Sequence, residues 1–136
     1  MTPALIFKIC NTLVLPQWLL MMVAPKWKGT QFLVNWRIIP FVLALVYAFY
    51  IATTMGQAEG GFGSLEGVMS LFTNERMVVA GWVHYLAFDL LIGGWILKTA
   101  QRKGIHHGLV IPCLLGTFML GPIGFGVFWL ICKFRE

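Results

Sequence analysis

The chain has 136 residues, of which 59% are hydrophobic, 15% are aromatic and only 11% are charged. A soluble domain carries about a quarter charged residues, so this composition excludes a water-soluble globule, and a chain with so much apolar surface to bury is not disordered either. The net charge of +5 comes from basic residues that flank the apolar stretches. This pattern sets membrane orientation and gives no indication of nucleic-acid binding. We therefore expect a small integral membrane protein.

Four apolar stretches, each bounded by charged residues, glycine or proline, have the length of about 17–25 residues that a membrane-spanning helix requires. They cover residues 4–24, 38–55, 77–97 and 108–132. This pattern predicts an all-α membrane protein with a single domain over residues 1–136, in which four transmembrane helices form an up-down bundle. Pro122, beside Gly121, is expected to kink the fourth helix, because proline lacks a backbone donor and clashes with the preceding turn.

The longest connection, residues 56–76, carries apolar residues at the three- and four-residue steps of a helix with one apolar face. These residues are Phe62, Leu65, Met69 and Phe72. We predict a short helix that lies flat at the membrane interface. Whether it is a simple connector or a lid over the other helices is left open.

Basic residues are concentrated in connections 25–37 and 98–107, whereas connection 56–76 is mainly acidic. The positive-inside rule places the two basic connections in the cytoplasm. With four spans, both termini then lie outside. Lys133 and Arg135, at the end of the fourth stretch, do not fit this arrangement.

Two ionisable residues, His84 and Asp89, lie well inside the third stretch, where a charge costs about 2.5–3.5 kcal/mol on insertion scales. Such residues indicate either a functional site or a hydrogen bond that ties two helices together, and both interpretations stay open. Trp82, Tyr85 and Asp89 lie on one stripe of the helix, whereas His84 is about 140° around the helix from Asp89. His84 and Asp89 can act together only across a groove that a second helix completes.

The first stretch is the expected partner, because it carries polar residues at matching depths. Asn11 lies near the depth of His84, and Gln17 near that of Asp89, when depth is counted at about 1.5 Å per residue. Aromatic residues are expected to line the groove, with glycine and proline leaving room for a flat ligand. These residues are Trp18, Trp82, Tyr85, Phe88, Gly93, Gly121 and Pro122.

The cysteines and histidines do not form a metal-binding pattern. Cys10, Cys113 and Cys132 are widely spaced in apolar stretches, and His106 and His107 are adjacent, so their side chains diverge on a helix. Zinc sites need clustered or paired ligands. We therefore expect no metal site.

The third stretch resembles the signature of the neoxanthin-synthase-like family, the abscisic-acid-deficient-four-like integral membrane proteins. The resemblance rests on Trp82-Val83-His84-Tyr85-Leu86-Ala87-Phe88-Asp89-Leu90 followed by Gly93, and is supported by Leu15-Pro16-Gln17-Trp18 and Gly121-Pro122-Ile123-Gly124. It covers nearly the whole chain and implies a carotenoid or related polyene, such as an epoxy-xanthophyll, as the lipid-soluble substrate. Because no transit peptide is recognised, we expect a bacterial inner membrane rather than a plastid.

The reaction that the resemblance implies is the isomerisation of an epoxide to an allenic alcohol. It delivers one proton to the epoxide oxygen and removes one from a nearby carbon, so an acid and a base suffice and no redox cofactor is expected. We hypothesise that Asp89, kept protonated by burial, is the acid and His84 the base, with Tyr85 and Asn11 orienting the oxygen. The roles of acid and base are interchangeable.

Two other functions stay open. One is a non-catalytic helper that binds a carotenoid or quinone and presents it to an enzyme. The other is a polyene oxygenase or cleavage enzyme, which would normally need a metal. Membrane lipids are expected partners in each case, and formation of a homo-oligomer is left open.

Overall fold

The computed structural model describes residues 2–135, and over this range the chain forms seven helices and no strand. The helices are α1 (Pro3–Val23), α2 (Lys28–Trp36), α3 (Ile38–Thr54), α4 (Leu65–Leu71), α5 (Glu75–Lys103), α6 (His107–Leu120) and α7 (Pro122–Phe134). The prediction of an all-α chain is confirmed.

Three of the apolar segments are long enough to cross a membrane. They are α1, the segment Lys28–Thr54 that contains α2 and α3, and α5. The 21 residues of α1 extend about 31 Å at about 1.5 Å per residue, which matches a hydrocarbon core of about 30 Å. The chain is therefore an integral membrane protein, as its composition predicts.

The fourth apolar stretch is not one helix. α6 ends at Gly121, whose φ of 42° and ψ of −97° lie outside the helical region, and Pro122 begins α7. Proline suits the start of a helix but not its interior. With 14 and 13 residues, α6 and α7 extend only about 20 Å each. The prediction of a single helix over residues 108–132 is therefore wrong, because the expected kink is a complete break, and a count of four spanning helices is not confirmed.

α6 and α7 pack closely against each other at small residues. A methyl group added to Gly116 would lie 3.2 Å from the Cα atom of Gly124, and one added to Gly124 would lie 2.6 Å from the backbone oxygen of Cys113. In one straight helix, Cys113 and Gly124 would be about 16 Å apart along the axis. The chain therefore folds back at Gly121, and α6 and α7 form a helical hairpin.

Residue contacts divide the chain into two compact units, and α1 and α5 each contribute to both. Unit 1 comprises the residues up to Leu13 together with Ile39–Ala87, and unit 2 comprises Val14–Ile38 together with the residues from Phe88 onward. The buried side chains of unit 1 include Leu43, Tyr50, Leu71, Met77, Val83 and Leu86. Those of unit 2 include Val14, Met21, Leu90, Ile96, Leu114 and Phe128. Each unit thus has an apolar core of its own.

In unit 1, Arg76 joins the start of α5 to the end of α3. Its guanidinium group donates to Thr54 Oγ1 at 2.9 Å and to Thr53 Oγ1 at 2.6 Å. The same group lies 4.5 Å from the centre of the Tyr50 ring, a distance typical of a cation–π contact. Arg76 therefore fixes the first turn of α5.

The connection between α3 and α5 contains the short helix α4. The Ser64 hydroxyl caps this helix by accepting from the Gly67 N–H at 3.0 Å, as serine commonly does at a helix start. The Gly61 N–H donates to the Gly67 backbone oxygen at 3.1 Å, which ties the preceding loop to the helix. A short helix within residues 56–76 is therefore confirmed, over Leu65–Leu71.

In unit 2, a polar network holds α2 against the C-terminal end of α5. Lys98 Nζ donates to Gln31 Oε1 at 2.5 Å, and Gln31 Nε2 donates to the Pro25 backbone oxygen at 2.6 Å and to Gln101 Oε1 at 3.2 Å. α5 continues beyond the predicted end at residue 97 to Lys103, so Lys98 lies within the helix rather than in the connection after it. The sequence pattern did not predict α2 as a separate helix.

Replacing Gly124 with alanine is expected to destabilise the protein strongly, because the new methyl group would overlap the backbone of Thr117 and Cys113. Overpacking of this kind costs about 1–3 kcal/mol, occasionally more. Gly126 is the matched control: it has open space around it, and alanine there gains helix propensity. Thermal unfolding in detergent should therefore show a lowered midpoint for Gly124→Ala alone. An unchanged midpoint for Gly124→Ala would contradict the close hairpin contact.

Candidate functional site

Unit 1 contains a mainly apolar cavity of about 250 Å³ between α3, α5 and the connection that contains α4. Its walls are Tyr47 and Ile51 of α3, Phe62 and Phe72 on either side of α4, and Met77, Ala80, Gly81 and His84 of α5. A concave site with mostly apolar walls and a few polar groups is typical of small-molecule binding.

Tyr47 and His84 bring side-chain polar groups to this cavity. Their rings meet edge to face, with centroids 5.4 Å apart and planes at 62°. An imidazole can accept or donate a proton, and a phenol hydroxyl can donate one. A ligand in the cavity could therefore meet a proton donor and a proton acceptor at the same place.

Gly81 sets the shape of the cavity close to His84. A methyl group at Gly81 would lie 2.8 Å from Cε1 of Phe72, so the missing side chain lets the Phe72 ring approach α5. Phe72 follows α4 in the chain. The connection between α3 and α5 therefore forms one wall of the cavity.

The structure brings three of the predicted site residues of unit 1 together. Trp82 Nε1 donates to Asn11 Oδ1 at 2.8 Å, and the Trp82 ring stacks on Tyr85 with centroids 5.3 Å apart. His84 lies about 200° around α5 from Trp82 and contacts Tyr47 of α3. Asn11 and His84, which were predicted to form one polar layer, therefore have different neighbours.

In unit 2, Trp18 occupies the room that Gly93 leaves. Trp18 is 3% exposed, and the neighbouring Gln17 is 1% exposed. A methyl group at Gly93 would lie 2.6 Å from Cη2 of Trp18, whose ring also meets Phe118 at a centroid distance of 5.5 Å. Within residues 2–135, Gln17 Oε1 accepts no hydrogen bond. The predicted ligand space at Gly93 is thus filled by a side chain of the protein itself.

Asp89 is partly buried beside the break between α6 and α7. A methyl group at Gly121 would lie 2.9 Å from Asp89 Oδ1, so the carboxyl group touches the turn that Pro122 follows. The first N–H groups of a helix have no acceptor within it, and the positive end of the helix dipole favours a nearby carboxylate. This position suits Asp89 as an acceptor at the start of α7.

The predicted acid and base belong to different units, with Asp89 in unit 2 and His84, together with Tyr85, in unit 1. Phe88 and Pro122 lie at the surface of unit 2, and Phe88 is 55% exposed. The catalytic and binding roles of all these residues stay predictions.

Tyr47, Phe62, Phe72 and Gly81 are not part of the site predicted from the sequence. Tyr47 carries a detectable signal, because it is a residue with a polar group inside an otherwise apolar stretch. Phe62 and Phe72 were predicted on the apolar face of a short helix, but their spacing does not indicate that they line a cavity with His84. Only the folded position of the connection reveals that part of the site.

Within residues 2–135, no three His, Cys, Asp or Glu side chains lie close enough together to hold a metal ion. The thiols of Cys10, Cys113 and Cys132 form no disulfide. At the cavity, Tyr47 and His84 supply groups that can transfer protons and form hydrogen bonds.

Residues 5–128 match the family described as ABA DEFICIENT 4-like. Over 120 residues the chain is 30% identical to a curated protein of Arabidopsis thaliana, Protein ABA DEFICIENT 4, chloroplastic, and the match covers 81% of this chain and 54% of that protein. The chain thus spans about half the length of the curated relative that it matches. No solved structure matches it.

The hydrogen bond between Asn11 and Trp82 is expected to couple α1 to α5 energetically. In a double-mutant cycle of Asn11→Leu and Trp82→Phe, the coupling should be about 0.6 kcal/mol and at most about 1.7 kcal/mol, as for other hydrogen bonds between membrane helices. Unfolding of the four proteins in detergent measures it. Asn11→Leu combined with Trp95→Phe is the control, and its effects should add. Additive effects for Asn11 and Trp82 would contradict the bond.

Proposed function

Because the chain belongs to the ABA DEFICIENT 4-like family, we propose that it modifies a carotenoid or related lipid-soluble polyene within the membrane, by acid–base isomerisation. The observation that carries this proposal is the cavity of unit 1, in which His84 and Tyr47 are set among apolar walls. Apolar walls suit a polyene, and the two polar groups suit an oxygen at its end.

The proton balance of an epoxide-to-allene isomerisation fits this pair of side chains. One C–O bond of the epoxide breaks and its oxygen gains a proton, while a nearby carbon loses a proton as the new double bond forms. We assign proton removal to neutral His84 and proton delivery to the Tyr47 hydroxyl. To restore both groups, the proton taken up by His84 returns to Tyr47, directly or through one water molecule.

An alternative assignment makes Asp89 the acid, with Tyr85 and Asn11 orienting the oxygen. The pigment experiment described below also tests Asp89 as the acid. Asp89 touches the turn at Gly121, a contact that by itself supports a packing role. We further propose that the protein lies in a bacterial inner membrane, with connections 25–37 and 98–107 in the cytoplasm. Residues 1–136 are proposed to form a single domain.

A second candidate function is a non-catalytic carotenoid- or quinone-binding helper. The same observation favours it, since apolar walls and two hydrogen-bonding groups are sufficient to hold a ligand without reaction. The two functions differ in one observable property, which is whether a new pigment is formed.

We expect a new pigment when the protein is expressed in a host that makes an epoxy-carotenoid, and we expect its yield to fall at least about 100-fold in His84→Ala and Tyr47→Phe, because each removes a proton-transfer group. His106→Ala removes a histidine outside the cavity and is the matched control. Pigment analysis by chromatography, with immunoblots of the membrane fraction, makes the comparison.

Full product yield with His84→Ala would contradict the assigned base, and full yield with Tyr47→Phe would contradict the assigned acid. If product is lost in Asp89→Asn but retained in Tyr47→Phe, the acid is Asp89. An unchanged pigment that co-purifies with the protein, without any product, would identify the binding helper instead.

A further inference from the structure

We infer that α6 and α7 form a re-entrant hairpin, which enters the membrane from the side of the basic connections, reaches the depth of Asp89 and returns to the same side. The helices are too short to cross singly, at about 20 Å each against a hydrocarbon core of about 30 Å. Five contacts within unit 2, taken in order along the hairpin, carry the inference.

The entrance of the hairpin lies beside the end of α1. His107, the first residue of α6, makes a 2.8 Å hydrogen bond between its Nε2 atom and the backbone oxygen of Met22, in the last turn of α1. Further along α6, Phe118 meets Trp18, which lies one turn earlier in α1. α6 therefore runs antiparallel to α1, away from the basic connection that follows α1.

The tip of the hairpin lies against the middle of α5. Gly121 approaches Asp89, and Asp89 lies 14 residues from Glu75 and 14 residues from Lys103 at the two ends of α5. At about 1.5 Å per residue, Asp89 is about 21 Å from either end. The tip therefore stops at half the length of α5.

The return of the hairpin follows α5 toward its basic end. The Trp95 ring meets Phe125 and Phe128 of α7, each at a centroid distance of 5.6 Å. From Asp89 to Trp95, and from Gly121 to Phe125 and Phe128, both helices advance in the same direction. α7 therefore runs parallel to the second half of α5, and its 13 residues match the 14 that remain in α5.

This arrangement assigns Lys133 and Arg135 to the same side as Lys98, Arg102 and Lys103. The charge distribution then obeys the positive-inside rule at the end of α7 as well. Four full spans would place Lys133 and Arg135 outside, against this rule. The hairpin places them in the cytoplasm, because it returns the chain to the side from which it came. The predicted outward position of the end of α7 is reversed.

Backbone breaks at membrane depth are tolerated where the freed polar groups find partners within the protein, and Gly121, at the break, is buried. The Gly121 N–H donates to the Thr117 backbone oxygen at 2.9 Å, and the Thr117 hydroxyl donates to the Cys113 oxygen at 2.8 Å. Asp89 touches the turn itself. Broken helices whose N-termini face an anionic group near the bilayer midplane occur in membrane transporters.

Cysteine accessibility tests the hairpin without reference to any pigment. In a variant with Cys10, Cys113 and Cys132 replaced by serine, single cysteines are introduced as Arg135→Cys, Lys103→Cys and Glu66→Cys. A membrane-impermeant maleimide is applied to intact cells and to lysed cells. Lys133→Cys replaces Arg135→Cys if that variant does not accumulate.

We expect Arg135→Cys to behave like Lys103→Cys and opposite to Glu66→Cys: the first two should be labelled only after lysis, and the third already in intact cells. Labelling of Arg135→Cys together with Glu66→Cys would overturn the hairpin, because α6 and α7 would then cross the membrane as one span. Identical labelling of Lys103→Cys and Glu66→Cys would also overturn it, since α5 would not cross.

Discussion

Polar groups inside apolar helices have to find partners within the protein, because the interior of a bilayer offers no water. The break at Gly121 is permitted by that rule, since its N–H bonds to Thr117 and the Thr117 hydroxyl bonds to Cys113. Both bonds lie within α6 and its C-terminal cap, and α7 packs back onto this same segment, an approach that requires glycine at residue 124. One constraint thus links the glycine pattern of the sequence to the hairpin and to the position of Asp89 beside its tip.

The same constraint separates residues that hold helices together from residues that are available to a ligand. Asn11 is bonded to Trp82, and Trp18 fills the space at Gly93, so these contacts serve packing between α1 and α5. Tyr47 and His84 instead face a cavity. The polyene proposed as substrate would therefore meet proton-transfer groups in unit 1, on the side of α5 that faces α3.

The sequence predicts the fold well where apolar length decides it. The bounds of α1 and α3 lie within about one residue of the predicted stretches. Helix ends are rarely predicted from a sequence more closely than this. The prediction from apolar length fails at residues 108–132, because a run of apolar residues does not distinguish one long helix from two short helices that pack on each other. The pair Gly121-Pro122 was recognised, but only the contact of Gly124 with Cys113 decides between a kink and a reversal.

Of the residues that line the cavity, the sequence indicated His84 as a site residue but not the neighbours that the fold brings to it. His84 is conspicuous as an ionisable residue inside an apolar stretch, and a helical wheel separates it from the stripe that contains Trp82, Tyr85 and Asp89. Its neighbours come from α3 and from the connection around α4, whose placement depends on tertiary contacts such as that of Phe72 with Gly81. Such contacts have no short-range signal in the chain.

If the cavity of unit 1 holds the proposed polyene, a side chain that fills the cavity should prevent pigment from binding. Gly81→Leu would project a side chain toward Phe72, whereas Gly126→Leu, in open space, leaves the cavity unchanged. The measurement is the absorbance of pigment bound per mole of protein purified from a carotenoid-producing host. We expect at least about a tenfold loss of bound pigment for Gly81→Leu alone, which corresponds to about 1.4 kcal/mol where pigment is far below saturation. Equal pigment in both variants, with equal protein in the membrane, would contradict it.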